Sequence, residues 1–192
     1  MNTKYLSENP ISRLLIHGYF KTLLAMVSTI DAPLQKILDI GCGEGIVPRQ
    51  LRTIWPSAVF HGLDINMELL QVARQLVPEF ICLVGSIYKL PLTAEGYDLV
   101  FCTEVLEHLE VPESALAEIT RVGKGYFLFS VPNEPLWRIA NMLRCSYWNE
   151  WGNSPGHLNH WNAGSFVRFL SKYCKPVSVK RPFPWIMVLC QK

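Results

Sequence analysis

The chain has 192 residues, 49% of them hydrophobic and 18% charged, with a formal net charge of +2. That composition excludes a disordered or fibrous protein, and the length suits a single domain spanning 1–192 with a core of its own. So small a positive excess gives no reason to expect a nucleic-acid partner.

Met1 to Pro10 is polar, with no basic stretch leading into an apolar run and cleavage site, so export is not expected. The next stretch, Ile11 to Ile30, is interrupted by Arg13, His17, Gly18 and Lys21, too often for a transmembrane segment. It reads as an amphipathic helix with Leu15, Tyr19, Leu23, Met26 and Ile30 on one stripe, packing as a lid formed by residues 1–34. Arg13 and Lys21 beside that stripe also suit a peripheral membrane contact.

From Gln35 onward, apolar β-rich runs alternate with helical patterns, which predicts a parallel sheet with crossover helices. The expected strands are Lys36–Ile40, Val59–Asp64, Phe80–Val84, Asp98–Cys102 and Tyr126–Val131. The expected helices are Gly45–Ile54, Met67–Leu76, Pro112–Val122, Glu134–Leu143 and Ala163–Lys172. Only Pro182-Phe183-Pro184 separates the last two β-rich runs, Val177–Arg181 and Trp185–Cys190, so that pair is expected to be antiparallel. Arg144–Asn162 lacks periodicity and reads as a long loop within a substrate-side insertion, 132–162. The six cysteines, Cys42, Cys82, Cys102, Cys145, Cys174 and Cys190, show no CxxC spacing, which predicts reduced thiols and a cytoplasmic protein.

The first βα junction reads Asp39-Ile40-Gly41-Cys42-Gly43-Glu44-Gly45. Glycines there let the backbone turn sharply and let a ligand approach closely. A dinucleotide fingerprint would place its third glycine at position 46, where Ile46 stands, which disfavours a nicotinamide cofactor. Asp64, at the end of the second expected strand, is suited to a ribose diol.

In these features the chain resembles class I S-adenosylmethionine-dependent methyltransferases, over about Lys36 to Val131 and again in the closing hairpin. The resemblance implies an α/β, Rossmann-like, mostly parallel sheet with helices on both faces and a C-terminal antiparallel hairpin. It implies cofactor contacts at Asp39, Gly41, Cys42, Gly43, Gly45, Asp64, Ile65, Ser86, Ile87 and Thr103. Many relatives carry an acid where Ser86 stands; a hydroxyl can take the same adenine hydrogen bond less strongly.

After the fourth strand comes Glu104-Val105-Leu106-Glu107-His108, and no Asn-Pro-Pro-aromatic signature of base-amine methylation. On a helix Glu104, Glu107 and His108 would share a face. With His157 or His160 they offer ligands for a divalent metal such as Mg, Mn, Fe or Zn. The wording is similar to that of small-RNA 2′-O-methyltransferases and of ubiquinone-biosynthesis O-methyltransferases. Without metal, His108, His157 or His160 is suited to proton removal near neutrality, with Glu104 as a further catalytic candidate. Trp137, Tyr147, Trp148, Trp151 and Trp161 offer surfaces to stack on a ring or sugar, or to pack the insertion down. The expected reaction is O-methylation of a small-molecule, lipid-linked or glycan acceptor. The other reading is a non-catalytic cofactor-binding partner subunit.

Overall fold

The computed structural model describes residues 9–143 and 156–192. Helix α1, Pro10–Val27, starts where the Asn9 side chain accepts the Ile11 amide at 2.9 Å, with proline at its first position, where no N–H is needed. It buries Tyr19, Leu23, Met26 and Val27, so most of the predicted stripe faces the core.

Seven strands form one sheet: β1 Lys36–Ile40, β2 Val59–Asp64, β3 Ile81–Val84, β4 Tyr97–Thr103, β5 Gly123–Pro132, β6 Lys175–Lys180 and β7 Trp185–Gln191. Their order is β3-β2-β1-β4-β5-β7-β6. The first five are mutually parallel and β7 runs antiparallel to both neighbours, as the short gap before it requires. Chain order reverses between β1 and β4, so the crevice at their carboxyl ends is the place where such sheets bind ligands.

Helices α2 Ile46–Leu51, α3 Met67–Leu76, α4 Pro112–Val122, α5 Leu136–Leu143 and α6 Ala163–Leu170 complete the described α-helices and strands. Alternate strand residues feed two cores. Leu38, Val100, Phe127 and Val188 pack against Leu116 and Ile119 of α4 and Phe166 and Leu170 of α6. Ile37, Phe101, Leu128 and Leu189 face α1, α2 and α3 through Leu23, Leu51 and Leu70. Each large buried side chain of this kind contributes roughly 1.5–3 kcal/mol.

Several boundaries differ from expectation. Helix α2 stops at Leu51 rather than Ile54, because Pro56 lies ahead and the chain tightens into the turn closed by Ile54 N to Leu51 O at 2.9 Å. Strand β5 begins three residues early, at Gly123. A side chain at Gly125 would meet the Asp98 carbonyl oxygen at 2.5 Å, so the glycine that weakened the strand pattern is what lets β4 and β5 approach. No described helix is long and apolar enough to cross a membrane.

Candidate active site

The glycine loop leaves β1 at the crevice. Gly41, Gly43 and Gly45 all take left-handed backbone, with φ of 71, 51 and 75°. A Cβ at Gly41 would strike the Val105 side chain, whereas at Gly43 it would meet nothing within 4 Å. The first position therefore packs the loop against the β4 exit, and the second leaves an open cradle. The Gly41 and Cys42 amides bond Leu63 O at 2.7 and 3.2 Å, tying the loop to the end of β2.

Asp64, the last residue of β2, accepts the Gly43 amide on Oδ2 and the Asn66 amide on Oδ1, both at 2.8 Å. Each oxygen keeps a second acceptor position. Beneath the loop, Asp39 is only 3% exposed, and its Oδ2 has no hydrogen-bond partner. Burial, and then the charge of Asp64, push its carboxyl well above the usual range. A buried acid with one oxygen lacking a donor, under a cradle open at Gly43, fits a ligand that brings an ammonium group. The Cys42 thiol is likewise pushed up, by burial first and then by Asp39 and Asp64.

Of the other expected cofactor contacts, Thr103 and Ile87 are buried and Ser86 is exposed, its hydroxyl taking the Tyr88 amide at 3.3 Å. Ile65, directly after Asp64, is 78% exposed, an apolar surface at the crevice edge.

At the β4 exit the structure corrects the sequence reading. Glu104, Glu107 and His108 do not lie on one helix face: Glu104 takes left-handed backbone, φ 58°, and only Leu106–His108 coil, as one 3-10 turn. Glu104 accepts Ser130 Oγ at 3.0 Å and Trp185 Nε1 at 2.7 Å, while Ser130 Oγ lies 2.8 Å from Tyr19 OH. Among the described residues the cluster suited to a metal is Glu107, His108 and His157, whose ligand atoms lie within 4.8 Å of one another, without Glu104.

That cluster is assembled across 50 residues of chain. The Leu158 and Asn159 amides bond the Glu107 carbonyl at 2.8 and 3.0 Å, and Asn159 Nδ2 bonds Leu106 O and Leu109 O at 3.3 and 2.6 Å. His108 Nδ1 lies 2.9 Å from Gly156 O. A carbonyl only accepts, so Nδ1 carries the proton and Nε2 presents its lone pair, 4.0 Å from Glu107 Oε1.

His160 stands apart from the cluster, exposed and beside Glu134. Burial raises the Glu134 carboxyl, against the lowering influence of His160 and Arg138, and both its oxygens are buried without a well-formed hydrogen bond. Among the aromatics, Trp161 packs on Phe166 and Phe169, with ring centres 5.4 and 5.6 Å apart, which is a core role. Trp137 lies 6.0 Å from His157 and 5.7 Å from Trp185. Tyr147, Trp148 and Trp151 fall outside the described residues. Sequence reasoning missed Ser130, Asn159 and Trp185. A lone hydroxyl in Leu128-Phe129-Ser130-Val131 and an indole N–H in an apolar strand were the available signals.

Residues 38–129 match a family model described as a methyltransferase domain. The chain is 38% identical over 111 residues to a ubiquinone biosynthesis O-methyltransferase of Shewanella sp. (strain ANA-3), covering 52% of this chain and 44% of that protein. It is 35% identical over 104 residues to an uncharacterized methyltransferase of Schizosaccharomyces pombe, covering 47% and 37%. The matched region thus spans less than half the length of either relative. Magnesium protoporphyrin IX methyltransferase from Synechocystis PCC 6803, solved with bound SAH, has the same fold at TM-score 0.74 and 15% identity, over 97% of this chain and 89% of that one. So does a putative methyltransferase complexed with the Haloferax volcanii Trm112 activator, at TM-score 0.73 and 16% identity, over 93% and 91%. Over residues 38–129 the chain therefore matches a methyltransferase domain, in a fold that the methyltransferase structures named above share.

Proposed function

We propose that this chain is an S-adenosylmethionine-dependent O-methyltransferase acting on a hydroxyl of a small-molecule, lipid-linked or glycan acceptor. The observation that supports it most is the cradle at Gly43, with Asp64 at its rim and the partnerless Asp39 oxygen below. In this reading Asp64 takes the ribose hydroxyls on its remaining acceptor positions. The Gly41, Cys42, Gly43 and Gly45 backbone and Thr103 line the aminocarboxypropyl arm, whose ammonium satisfies Asp39. Ile65, Ile87 and Ser86 border the adenine. The cofactor supplies a sulfonium methyl group, and the crevice contributes chiefly by holding the acceptor oxygen in line with it.

His108 Nε2 is the proton acceptor for the hydroxyl, with Glu107 facing the charge that develops on the ring. The His108 imidazole would take the hydroxyl proton as the acceptor oxygen receives the methyl group. The name of the Shewanella relative favours O-methylation of a ubiquinone-precursor type of acceptor. Exposed Ile11 and Leu14 on α1, beside exposed Arg13, support a lipid-linked one collected at a membrane surface.

A second reading is favoured by one specific observation, the three donor atoms of Glu107, His108 and His157 within 4.8 Å, with His108 oriented by a backbone carbonyl. Two imidazoles and a carboxylate suit Mn, Fe or Zn better than Mg. Such an ion would lower the pKa of a bound hydroxyl and orient it.

The test is calorimetric titration of S-adenosylhomocysteine and of NAD, with and without Mn²⁺, on wild type and Asp64→Ala, followed by methyl transfer to a panel of simple phenols, catechols and hexosides. Binding of S-adenosylhomocysteine that Asp64→Ala weakens is expected. NAD binding in its place would overturn the cofactor reading. Binding without turnover on any acceptor would favour a non-catalytic subunit.

A further inference from the structure

The Glu-x-x-Glu-His run is divided between two sites, and the first of them reaches well beyond the motif. Tyr19, Ser130, Glu104 and Trp185 come from α1, β5, the β4 exit and β7, and form one continuous hydrogen-bonded chain. Its direction is set by Glu104. The carboxylate accepts from Ser130 Oγ on one oxygen and from the Trp185 indole on the other, so the Tyr19 hydroxyl donates in turn to Ser130 Oγ. Ser130 is fully buried and Tyr19 is 2% exposed. The Tyr19 and Trp185 rings also pack edge to face, with centres 5.1 Å apart.

Glu104 holds this place in a left-handed conformation that is uncommon for a glutamate, and its own amide bonds Ser130 O at 3.0 Å. Such strain persists where the surroundings over-determine it, and it concentrates at functional sites. The neighbouring residue Val105 is the one Gly41 packs against, so the strained turn abuts the cofactor loop. A carboxylate that receives a donor on each oxygen is oriented and weakened as a base, which suits it to hold a hydroxyl in a fixed direction and not to remove its proton.

We infer that Glu104 orients the acceptor beside the cofactor loop by accepting from a hydroxyl adjacent to the one that is methylated, and that Tyr19, through Ser130, and Trp185 are its positioning residues. The N-terminal helix is then part of the acceptor site and more than a cover for the core. The inference rests on the methyl-transfer reading, and His108 keeps the proton-accepting role within it.

The test is a double-mutant cycle on the full chain, with S-adenosylhomocysteine affinity measured alongside turnover of a simple phenol and a simple catechol. Glu104→Ala is expected to lower kcat/KM for the catechol by about 100-fold and Tyr19→Phe by about tenfold, on the scale of lost charged and neutral hydrogen bonds, with a smaller loss for the phenol and S-adenosylhomocysteine affinity unchanged in both. In the Glu104→Ala background, Tyr19→Phe should have no further effect. Ser130→Thr, which keeps the hydroxyl, should retain activity that Ser130→Ala loses. Independently of any acceptor, the indole N–H resonance of Trp185, identified by its loss in Trp185→Phe, should move upfield in Glu104→Ala and shift in Tyr19→Phe. Multiplicative losses in the cycle, or an indole signal indifferent to Glu104→Ala, would overturn the positioning role. Failure of wild type to bind S-adenosylhomocysteine would instead overturn the function on which it rests.

Discussion

The two halves of the crevice are made by opposite means. On the β1 side, Gly41 to Gly45 form a site from backbone: three left-handed glycines, amides tied to Leu63 O and Asp64, and side chains kept away. On the β4 side, Glu104 to His108 form a site from side chains whose partners lie in other elements: Ser130, Trp185 and Tyr19 for Glu104, and the Gly156–Asn159 segment for Glu107 and His108. A backbone site tolerates little change of shape, because it has no side chain to repack. A side-chain site can lose one member and keep its scaffold.

The largest effect should follow from Gly41→Ala. A Cβ there forces an L-residue to hold φ 71° and drives into Val105. Left-handed backbone and overpacking each cost about 1–2 kcal/mol, so a loss of roughly 3 kcal/mol, about 100-fold in S-adenosylhomocysteine affinity, is expected by calorimetry. Adding Val105→Ala should recover the part due to the clash and leave the part due to φ. Wild-type affinity in Gly41→Ala would show that the two regions do not differ in this way.

On the other side, if the cluster takes up a metal, Glu107→Ala should abolish Mn²⁺ binding while leaving S-adenosylhomocysteine affinity intact. Outer partners of metal ligands already matter 10–100-fold, so loss of a direct ligand should lower Mn²⁺ affinity by at least about 100-fold. The Gly156–Asn159 segment should stay docked, because Leu158 and Asn159 bond the Glu107 carbonyl and not its side chain. Wild type that takes up no Mn²⁺ in the same titration would leave the cluster as a proton-transfer site alone.

This contrast also explains what could be read in the sequence. The βα alternation, the closing antiparallel pair and the glycine loop with its strand-end acid were legible because each is a local pattern: Asp39 to Gly45 lies within seven residues, and Asp64 ends the next strand. The β4 exit was legible in composition only. Spacing at i, i+3 and i+4 implies one face only where a helix continues, and here a left-handed Glu104 precedes a three-residue turn. That His157 joins the cluster and His160 does not depends on which amides of 156–161 find Glu107 O, a contact across 50 residues that no local pattern encodes. The same holds for Tyr19, brought to Ser130 from 111 residues away.

A smaller effect tests the cost of the backbone site. The Asp39 carboxyl is held well above its ordinary range by burial and then by Asp64. The folded chain thus binds this proton more tightly than the unfolded chain does, so the stability it brings is present at acid pH and is lost as pH rises from about 3.9 through the raised folded value. Asp39→Asn should remove that slope and raise the melting temperature of the ligand-free protein at pH 7 by roughly 2–4 °C, as about 1 kcal/mol does in a chain of this size. It should also weaken S-adenosylhomocysteine binding, since an amide would replace the carboxylate proposed to meet the ligand's ammonium. Higher stability with unchanged affinity would remove Asp39 from the cofactor site.

The smallest effect belongs to Glu134, beside the side-chain site yet outside both networks. Its carboxyl is raised as well, by burial first, but His160 and Arg138 pull it back, and solvent screens a group only partly buried. The sign is the same as for Asp39: stability is present at acid pH and is lost as pH rises through the folded value. Glu134→Gln should therefore stabilise the protein near neutrality by no more than about 1 °C in a melting curve. If it instead lowers turnover while melting stays put, the carboxylate is acting on the acceptor through His160, and the side-chain region extends one element further than the Glu107 cluster.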